Sequence, residues 1–422
     1  MYMAIEEFVR IKELESPLEK EIAENIREWG DKYVLPYRRE FDEDWKEHKL
    51  IEPAIEKLMV DYGFQMAMFP EEYGGMGLGS SEYFGTICAR WCEEVGRYDM
   101  GLLTAVGVTL WTLFPITVEP HINHELCAEF APLFARKKLT MAANAMTEPQ
   151  GGSDIENMDV NKGKTIRTVA KLEGDEWVIN GHKLWPTNTG GVADLIGVVC
   201  TTKLGAADER YFAYIYVPAD RPGVKFGEPY RKAGMAADKN SDLWFEDVRV
   251  PKHYRAWGEG LDAKYFRTLI STGCLFTAAY QVGTAINIYE ILKKICSEVR
   301  YRGKPLKENT VVAGILADIA AEIQVSRAAL YTCARVIDRP DIYGDRFSPE
   351  VCAITRAFRL RIGDGLYDVA QKAVSLLSHY GIDRNYDVEK HWRDFKISVL
   401  WMGGRQLTQM EIARYYYNCK QL

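Results

Sequence analysis

The stretch Met146-Thr-Glu-Pro-Gln-Gly-Gly-Ser-Asp154 lies between two apolar runs and combines turn-forming residues with hydroxyl and carboxylate side chains. Pro149 restricts one φ angle, and Gly151 and Gly152 permit φ values that other residues avoid. Threonine, serine and aspartate side chains in such a segment exchange hydrogen bonds with nearby backbone groups. The stretch therefore predicts a loop that holds a polar or anionic group, although an ordinary turn between strands has a similar composition.

The loop lies where the spacing of apolar residues changes, and the chain divides into three regions. Residues 1–138 and 256–422 repeat apolar side chains at helical spacing, whereas residues 139–255 contain short β-prone runs between turn residues. The pattern predicts an α+β fold with an N-terminal helical domain, a central antiparallel β domain and a C-terminal four-helix bundle. The predicted strands are 168–172, 177–179, 195–200, 211–217 and 243–245, and the predicted long helices are 269–300, 312–338 and 349–379.

The composition is that of an ordinary globular protein, with 47% hydrophobic and 27% charged residues among 422. A net charge of −7 argues against a nucleic-acid surface. The N-terminus does not resemble a signal peptide, and we expect no apolar run long enough to span a bilayer. The nine cysteines include no Cys-x-x-Cys pair and fit reduced, buried thiols. These features predict a cytoplasmic protein without a membrane span.

Two groups of potential metal ligands occur in the N-terminal region. Cys88 and Cys92 are one helical turn apart but lack nearby histidine partners. His121, His124 and Glu125 are close in sequence, yet their neighbours supply no convincing third ligand. The sequence therefore predicts no metal site.

Four stretches agree in order and spacing with one known family. They are Met146-Thr-Glu-Pro-x-x-Gly-Ser-Asp154, Gly181-His-Lys-Leu-Trp-Pro-Thr-Asn188, Phe245-Glu-Asp-Val-Arg-Val-Pro251 and Val388-Glu-Lys-x-x-Arg-Asp-x-Lys-Ile397. Together with the helix–sheet–helix order, they resemble the acyl-CoA dehydrogenase family over nearly the whole chain. The resemblance implies the fold of that family, an FAD cofactor between the β domain and the C-terminal bundle, and a coenzyme A thioester as substrate.

The resemblance also implies roles for particular residues. Met146 and Thr147 match contacts to the pyrimidine side of the flavin, where negative charge develops on reduction. Thr187 matches a contact near flavin N5, and Trp185 matches the residue that covers one face of the isoalloxazine ring. Gln406 matches a further contact to the flavin. Ser153 and Gly403 match contacts to the substrate. From the residues alone, Trp185 also fits a core position and Thr187 an ordinary strand position.

The reaction of this family needs a carboxylate that removes a proton next to the thioester carbonyl. Most relatives carry this glutamate immediately before the last helix, where the present chain has Met402. A thioether does not accept that proton. Some relatives carry the base on the first long helix after the β domain, where this chain has Gly273. The resemblance therefore implies a divergent member without the usual catalytic glutamate.

Three hypotheses about function remain open. The first is an FAD-dependent oxidoreductase that acts on a coenzyme A thioester, such as an alicyclic or unsaturated acyl-CoA, with a displaced proton acceptor. The second is a flavin oxidase or N-hydroxylase on the same fold. The third is a non-catalytic partner subunit that completes the active site of a related chain.

The first hypothesis requires another proton acceptor. The residues considered for this role are Asp99, Tyr280, Cys274 and His379. Tyr280 and Cys274 also fit packing positions in a helical bundle, and Asp99 also fits a helix N-cap. The resemblance further implies an electron-transfer flavoprotein or a similar protein as electron acceptor, and a homotetramer or a hetero-oligomer with a related chain.

Overall fold

The computed structural model describes residues 4–9 and 15–420, and it contains the three parts in the predicted order. The remaining residues, which belong to the predicted first and last domains, lie outside the described part of the chain. The first part is helical and contains α1 (Ala4–Glu7), α2 (Pro17–Trp29), α3 (Ile51–Glu56), α4 (Phe84–Tyr98), α5 (Met100–Thr117) and α6 (His124–Phe134). The α+β class is confirmed, whereas the predicted boundaries after residues 138 and 255 stay predictions.

Helix α5 is apolar along its whole length. It begins at Met100 because the carboxylate of Asp99 accepts a hydrogen bond from the amide of Leu102 at 2.8 Å. Its 18 residues include no charged side chain, so the expectation that no apolar run reaches membrane-spanning length is wrong. Helix α5 and the helix Leu261–Glu298 are both long and apolar enough to cross a bilayer, and in an apolar 18-residue stretch of each helix 89% and 94% of the residues are buried within the fold. A helix that is packed on all sides needs no polar face, which accounts for this composition.

The second part is a seven-stranded mixed sheet. Its elements are β1 (Ala142–Ala145), α7 (Ser153–Glu156), α8 (Met158–Asn161), β2 (Val169–Glu173), β3 (Glu176–Lys183), β4 (Leu195–Thr201), β5 (Phe212–Pro218), β6 (Val224–Phe226) and β7 (Leu243–Pro251). Most neighbouring strands are antiparallel, but β1 and β2 each pair with β4 in parallel. The expectation of a purely antiparallel domain is therefore wrong in this detail. The long segment between β1 and β4 supplies the connection that a parallel pair requires.

The third part is a bundle of long helices. It contains α9 (Leu261–Glu298), a hairpin of β8 (Arg300–Tyr301) and β9 (Lys304–Pro305), α10 (Thr310–Asp338), α11 (Pro340–Tyr343), α12 (Pro349–Leu377), α13 (His379–Ile382), α14 (Val388–Ser398) and α15 (Gly404–Tyr417). Helix α9 also packs against α4 of the first part. A Cβ atom on Gly283 would lie 2.0 Å from the carbonyl oxygen of Glu93, so only glycine permits this approach. The first and third parts consequently share one hydrophobic core.

Candidate active site

The predicted loop after β1 is anchored by a buried ion pair. The carboxylate of Glu148 lies 2.8 Å from the ammonium group of Lys183 on β3, and it accepts hydrogen bonds from the amides of Arg167 and Thr168 at 2.7 and 2.9 Å. Burial by itself raises the pKa of Glu148, but Lys183 and the hydrogen bonds outweigh it and hold that pKa below its usual value. Lys183 also donates to the carbonyl oxygen of Met146 at 2.9 Å. The loop is therefore fixed against the sheet.

The two glycines of the loop are not required for a positive φ angle. Neither has a positive φ, in contrast to the expectation from the sequence. A Cβ atom on Gly151 would lie 2.1 Å from the carboxylate of Asp154, and one on Gly152 would lie 3.1 Å from the hydroxyl oxygen of Thr147. The loop therefore packs closely on its own side chains at both glycines.

Trp185 and Thr187 follow β3 and occupy different environments. The side chain of Trp185 is 46% exposed and stacks on Tyr230 with ring centroids 4.0 Å apart, so the core alternative for Trp185 is wrong. Thr187 is buried and forms an isolated β-bridge with Asn240. Its hydroxyl donates to Asp238 at 3.4 Å. The structure therefore leaves one aromatic face accessible beside a buried hydroxyl group.

Asn144 is a further polar residue at this edge of the sheet. It lies on β1 two residues before Met146 and is only 6% exposed. Neither atom of its amide group has a hydrogen-bond partner among the described residues. One carboxylate oxygen of Asp238 accepts the hydrogen bond from Thr187. The other oxygen also has no hydrogen-bond partner among the described residues. Buried polar groups without partners are costly, so these atoms indicate a place for a polar ligand.

The turn between α14 and α15 carries the predicted base position. Met402, Gly403 and Gly404 have φ angles of 54°, 75° and 61°, so three successive residues are left-handed. This conformation is strained for a methionine, and such strain is often found at functional sites. Gln406 lies exposed in the first turn of α15.

Both predicted base positions meet at this turn. The terminal methyl carbon of Met402 would lie 2.8 Å, and its sulfur 3.2 Å, from a Cβ atom on Gly273. The ring of Trp111 on α5 would lie 3.2 Å from the same atom. Trp111 is held there because its indole N–H donates to the carbonyl oxygen of Leu269 at 3.1 Å. Neither position carries an acidic group, and the two side chains fill the space beside Gly273.

The two predicted substrate-binding residues are in contact. The hydroxyl of Ser153, the first residue of α7, donates to the carbonyl oxygen of Gly403 at 3.4 Å. The loop after β1 and the turn before α15 are 250 residues apart in the chain and meet through this bond. The structure thus brings Ser153, Gly403 and Met402 into one region.

The four residues considered as proton acceptors lie in unsuitable surroundings. Asp99 caps α5 and forms an ion pair with Lys390 at 2.7 Å, which agrees with the N-cap alternative. His379 is exposed and stacks on Tyr380. Burial raises the pKa of the Cys274 thiol and of the Tyr280 phenol, so both stay protonated.

Two buried arginines on α12 hold the turn, and the sequence did not indicate them. Arg356 donates to the carbonyl oxygen of Met402 at 2.7 Å, and Arg359 donates to that of Trp401 at 2.5 Å. Along α12 they are indistinguishable from the charged face of a solvated helix. Only the packing of α12 against the turn buries them.

A cavity of about 280 Å³ lies beside the turn, between the short helices α7 and α8 and the long helices α9, α12 and α15. Its lining includes Glu156, Ile270 and Glu411. The carboxylate of Glu156 lies 3.6 Å from the guanidinium group of Arg356. Sequence reasoning missed Glu156 because its partner is 200 positions away and no local motif marks the pair.

The histidines considered as metal ligands have other partners. His121 stacks on Tyr265 with ring centroids 3.7 Å apart, and His124 pairs with Glu72 at 2.8 Å. Within residues 4–9 and 15–420, no group of three or more histidine, cysteine or carboxylate side chains is placed to hold a metal ion. The predicted absence of a metal stays a prediction.

The chain consists of a helical part, a mixed sheet and a helical bundle, with a polar loop and a glycine turn meeting between them. Its relatives identify it as a member of the class of flavin-dependent oxidoreductases that act on CH–CH groups. Three family models match the chain in the same order: the N-terminal domain of acyl-CoA dehydrogenase over residues 16–138, the middle domain over 143–248 and the C-terminal domain over 263–416. The chain belongs to the acyl-CoA dehydrogenase family.

Individual relatives are distant but extend over most of the chain. A cyclohexane-1-carbonyl-CoA dehydrogenase of Syntrophus aciditrophicus (strain SB) is 27% identical to this chain. The alignment covers 90% of this chain and 92% of the relative. A cyclohex-1-ene-1-carbonyl-CoA dehydrogenase of the same organism is 28% identical, with coverage of 94% and 89%. Butyryl-CoA dehydrogenase from Megasphaera elsdenii is similar in structure, with a TM-score of 0.82, 22% identity and coverage of 96% and 99%. The last likeness concerns the fold alone.

Proposed function

We propose that this protein is an FAD-dependent dehydrogenase of an acyl-CoA thioester whose acyl group is alicyclic or unsaturated, with a proton acceptor outside the usual positions. The observation that carries this proposal is the contact of Ser153 with Gly403, which brings the two predicted substrate-binding residues together near two base positions that lack a carboxylate. Relatives at 27% and 28% identity are named for cyclohexane- and cyclohexene-carbonyl thioesters, which supports a compact ring as the acyl group.

The residues at the edge of the sheet fit a flavin. The unpartnered amide of Asn144 supplies a donor and an acceptor, which match the alternating carbonyl and N–H groups of the pyrimidine side. The exposed indole of Trp185 offers an aromatic face to a planar ring. The residues that would hold the flavin are Met146, Thr147, Trp185, Thr187 and Gln406. FAD, when bound, supplies the acceptor for the hydride that leaves the acyl group.

The substrate would lie between the loop and the turn. Ser153 and Gly403 already contact each other there, and the cavity of about 280 Å³ adjoins Ser153 through α7. The hydroxyl of Ser153 and the polar lining of the cavity suit the amide and carbonyl groups of the coenzyme A arm. Met402 and Trp111 restrict the space near Gly273, which favours a compact acyl group over a long flexible chain.

The electron acceptor, assembly and location are further parts of the proposal. An electron-transfer flavoprotein or a similar protein would reoxidise the flavin, because family membership makes this the expected acceptor. The chain would assemble as a homotetramer or together with a related chain, and it would act in the cytoplasm.

Anaerobic spectral titration tests the proposal. The purified, FAD-loaded protein is titrated with cyclohexane-1-carbonyl-CoA, cyclohex-1-ene-1-carbonyl-CoA and butyryl-CoA. Bleaching of the visible flavin band by a cyclic thioester is the expected result, and absence of bleaching with every thioester contradicts it. Rapid reoxidation by air with continued turnover would instead favour the flavin oxidase.

A non-catalytic partner subunit is the second candidate. The filling of the space beside Gly273 by Met402 and Trp111 favours it, because a closed site holds no substrate. Co-purification with a glutamate-bearing relative distinguishes the two. A protein that binds no FAD alone, and that raises the activity of such a relative, would be this partner subunit.

A further inference from the structure

A buried carboxylate without a catalytic assignment adjoins the reaction region. Glu156 is the last residue of α7, three positions after Ser153, and it is only 9% exposed. Its Oε2 atom has no hydrogen-bond partner among the described residues. Glu156 borders the cavity of about 280 Å³, which also reaches Ile270, one helical turn before Gly273 on α9. A buried carboxylate therefore borders a cavity that reaches the helix carrying Gly273.

One guanidinium group connects this carboxylate to the turn that carries Met402. Arg356 lies 3.6 Å from Oε2 of Glu156, which is an ion pair but too long for a hydrogen bond. The same side chain donates to the carbonyl oxygen of Met402 at 2.7 Å. Its Nε atom is paired closely with Glu411 on α15. Arg356 is thus shared between two carboxylates, those of Glu156 and Glu411.

We propose that Glu156 is the displaced proton acceptor of the reaction; this inference rests on the proposed function. The C–H bond next to the thioester carbonyl breaks, and its proton goes to Oε2 of Glu156. The electron pair of that bond would form the new carbon–carbon double bond, and FAD, when bound, would accept the hydride from the neighbouring carbon. Arg356 carries the positive charge that balances Glu156 before proton transfer.

The electrostatic surroundings suit a base that works near neutral pH. Burial raises the pKa of Glu156, while Arg356 and Arg359 on α12 oppose this effect without reversing it. A raised pKa makes a carboxylate a stronger base and brings it nearer to the operating pH. The other charged groups that line the cavity are Asp159 on α8, Arg267 on α9, and Glu411 and Arg414 on α15. Because Glu156 must be ionised to accept a proton, the rate of flavin bleaching should rise with pH in the wild type.

Exchange of the proton next to the thioester carbonyl for deuterium measures proton removal separately from oxidation. The FAD-loaded protein is incubated in D₂O with an acyl-CoA analogue that has sulfur in place of the carbon from which hydride leaves, and deuterium in the recovered thioester is measured by mass spectrometry. We expect Glu156→Gln to slow this exchange, and the bleaching by a cyclic acyl-CoA, about 100-fold or more. It should also lose the rise in rate with pH. Glu156→Asp should restore part of both rates.

Glu290→Gln is the matched control, because Glu290 forms a mostly buried ion pair with Arg97 at 2.6 Å and does not line the cavity. Thioester affinity by calorimetry and flavin content show that each variant is folded and loaded. Exchange by Glu156→Gln at the wild-type rate would overturn the assignment, as would an equal loss in Glu290→Gln. A wild type that exchanges the proton in a Glu156-dependent way without bleaching would support Glu156 and contradict the proposed oxidation. A wild type that neither exchanges nor bleaches would overturn both.

Discussion

The terminal methyl carbon of Met402 lies 2.8 Å from the point that a Cβ atom on Gly273 would occupy. Members of the family that carry a catalytic glutamate at one of these two positions have a carboxylate next to the reacting carbon. In this chain the thioether of Met402 packs against Gly273, which has no side chain. The indole of Trp111 packs against the same position. The region is apolar where a base is usually placed, so under the proposed function the proton acceptor would have to approach from another direction.

Gly273→Ala should destabilise the protein. The added methyl group meets Met402 and Trp111 at 2.8 and 3.2 Å, and such overpacking costs about 1–3 kcal/mol. Urea unfolding measures the loss. Gly314→Ala on α10 is the control, since nothing lies within 4 Å of its Cβ position and the change should stabilise by about 0.4–1 kcal/mol. In a double-mutant cycle with Met402→Ala the penalty should shrink; strictly additive effects would contradict the contact.

Met402→Glu should introduce ordinary dehydrogenation of a straight-chain thioester such as butyryl-CoA. The new carboxylate is placed beside Gly273, and general-base catalysis contributes about 100-fold or more in rate. Stopped-flow bleaching of the flavin measures the gain. Met402→Gln, which is similar in size but is not a base, should show none. An equal gain in both variants, or no gain with glutamate, would mean that Met402 does not occupy the base position.

Thr187→Ala should slow flavin reduction. Loss of one hydroxyl group from the flavin site weakens the stabilisation of the reduced ring by about 1–3 kcal/mol. The reduction potential of the bound flavin and the rate of its reduction by substrate both report the change. Thr187→Ser keeps the hydroxyl and should remain close to the wild type. Wild-type potential and rate in the alanine variant would contradict the assignment of Thr187.

Asp262 should make folding stability depend on pH. Burial raises its pKa to about 6, although the ion pair with Arg255 and the hydrogen bond from Trp257 each lower that pKa. An unfolded aspartate titrates near about 3.9, so the folded state binds the extra proton between these values. Stability contributed by this group is therefore greatest at low pH and falls as the pH rises towards 6.

Asp262→Asn removes this dependence. Between pH values of about 4 and 6, the stability of the wild type relative to the variant should fall by on the order of 3 kcal/mol. Urea unfolding of both proteins across this range measures the difference. Parallel curves for wild type and variant would show that the pKa of Asp262 does not change on folding.

Much of the architecture was predictable because it depends on local spacing. The strand predicted at 195–200 is observed as Leu195–Thr201, and the helix predicted at 312–338 as Thr310–Asp338. Apolar periods of two and about 3.6 residues belong to the backbone geometry of each element, so a short window is enough to recognise them. Strand β1 was missed because its sequence, Ala-Ala-Asn-Ala, has little β-propensity and pairs only with the distant β4.

By itself the sequence determined the order of helical and sheet parts, the positions of Thr187 and Ser153 in their motifs, and the absence of glutamate at residue 402. The tertiary structure alone decided that Met402 packs against Gly273, that Asp99 caps a helix, and that Glu156 meets Arg356 beside a cavity. The reason is physical: element type depends on neighbours within a few residues, whereas the charge and burial of a site depend on which distant elements pack together.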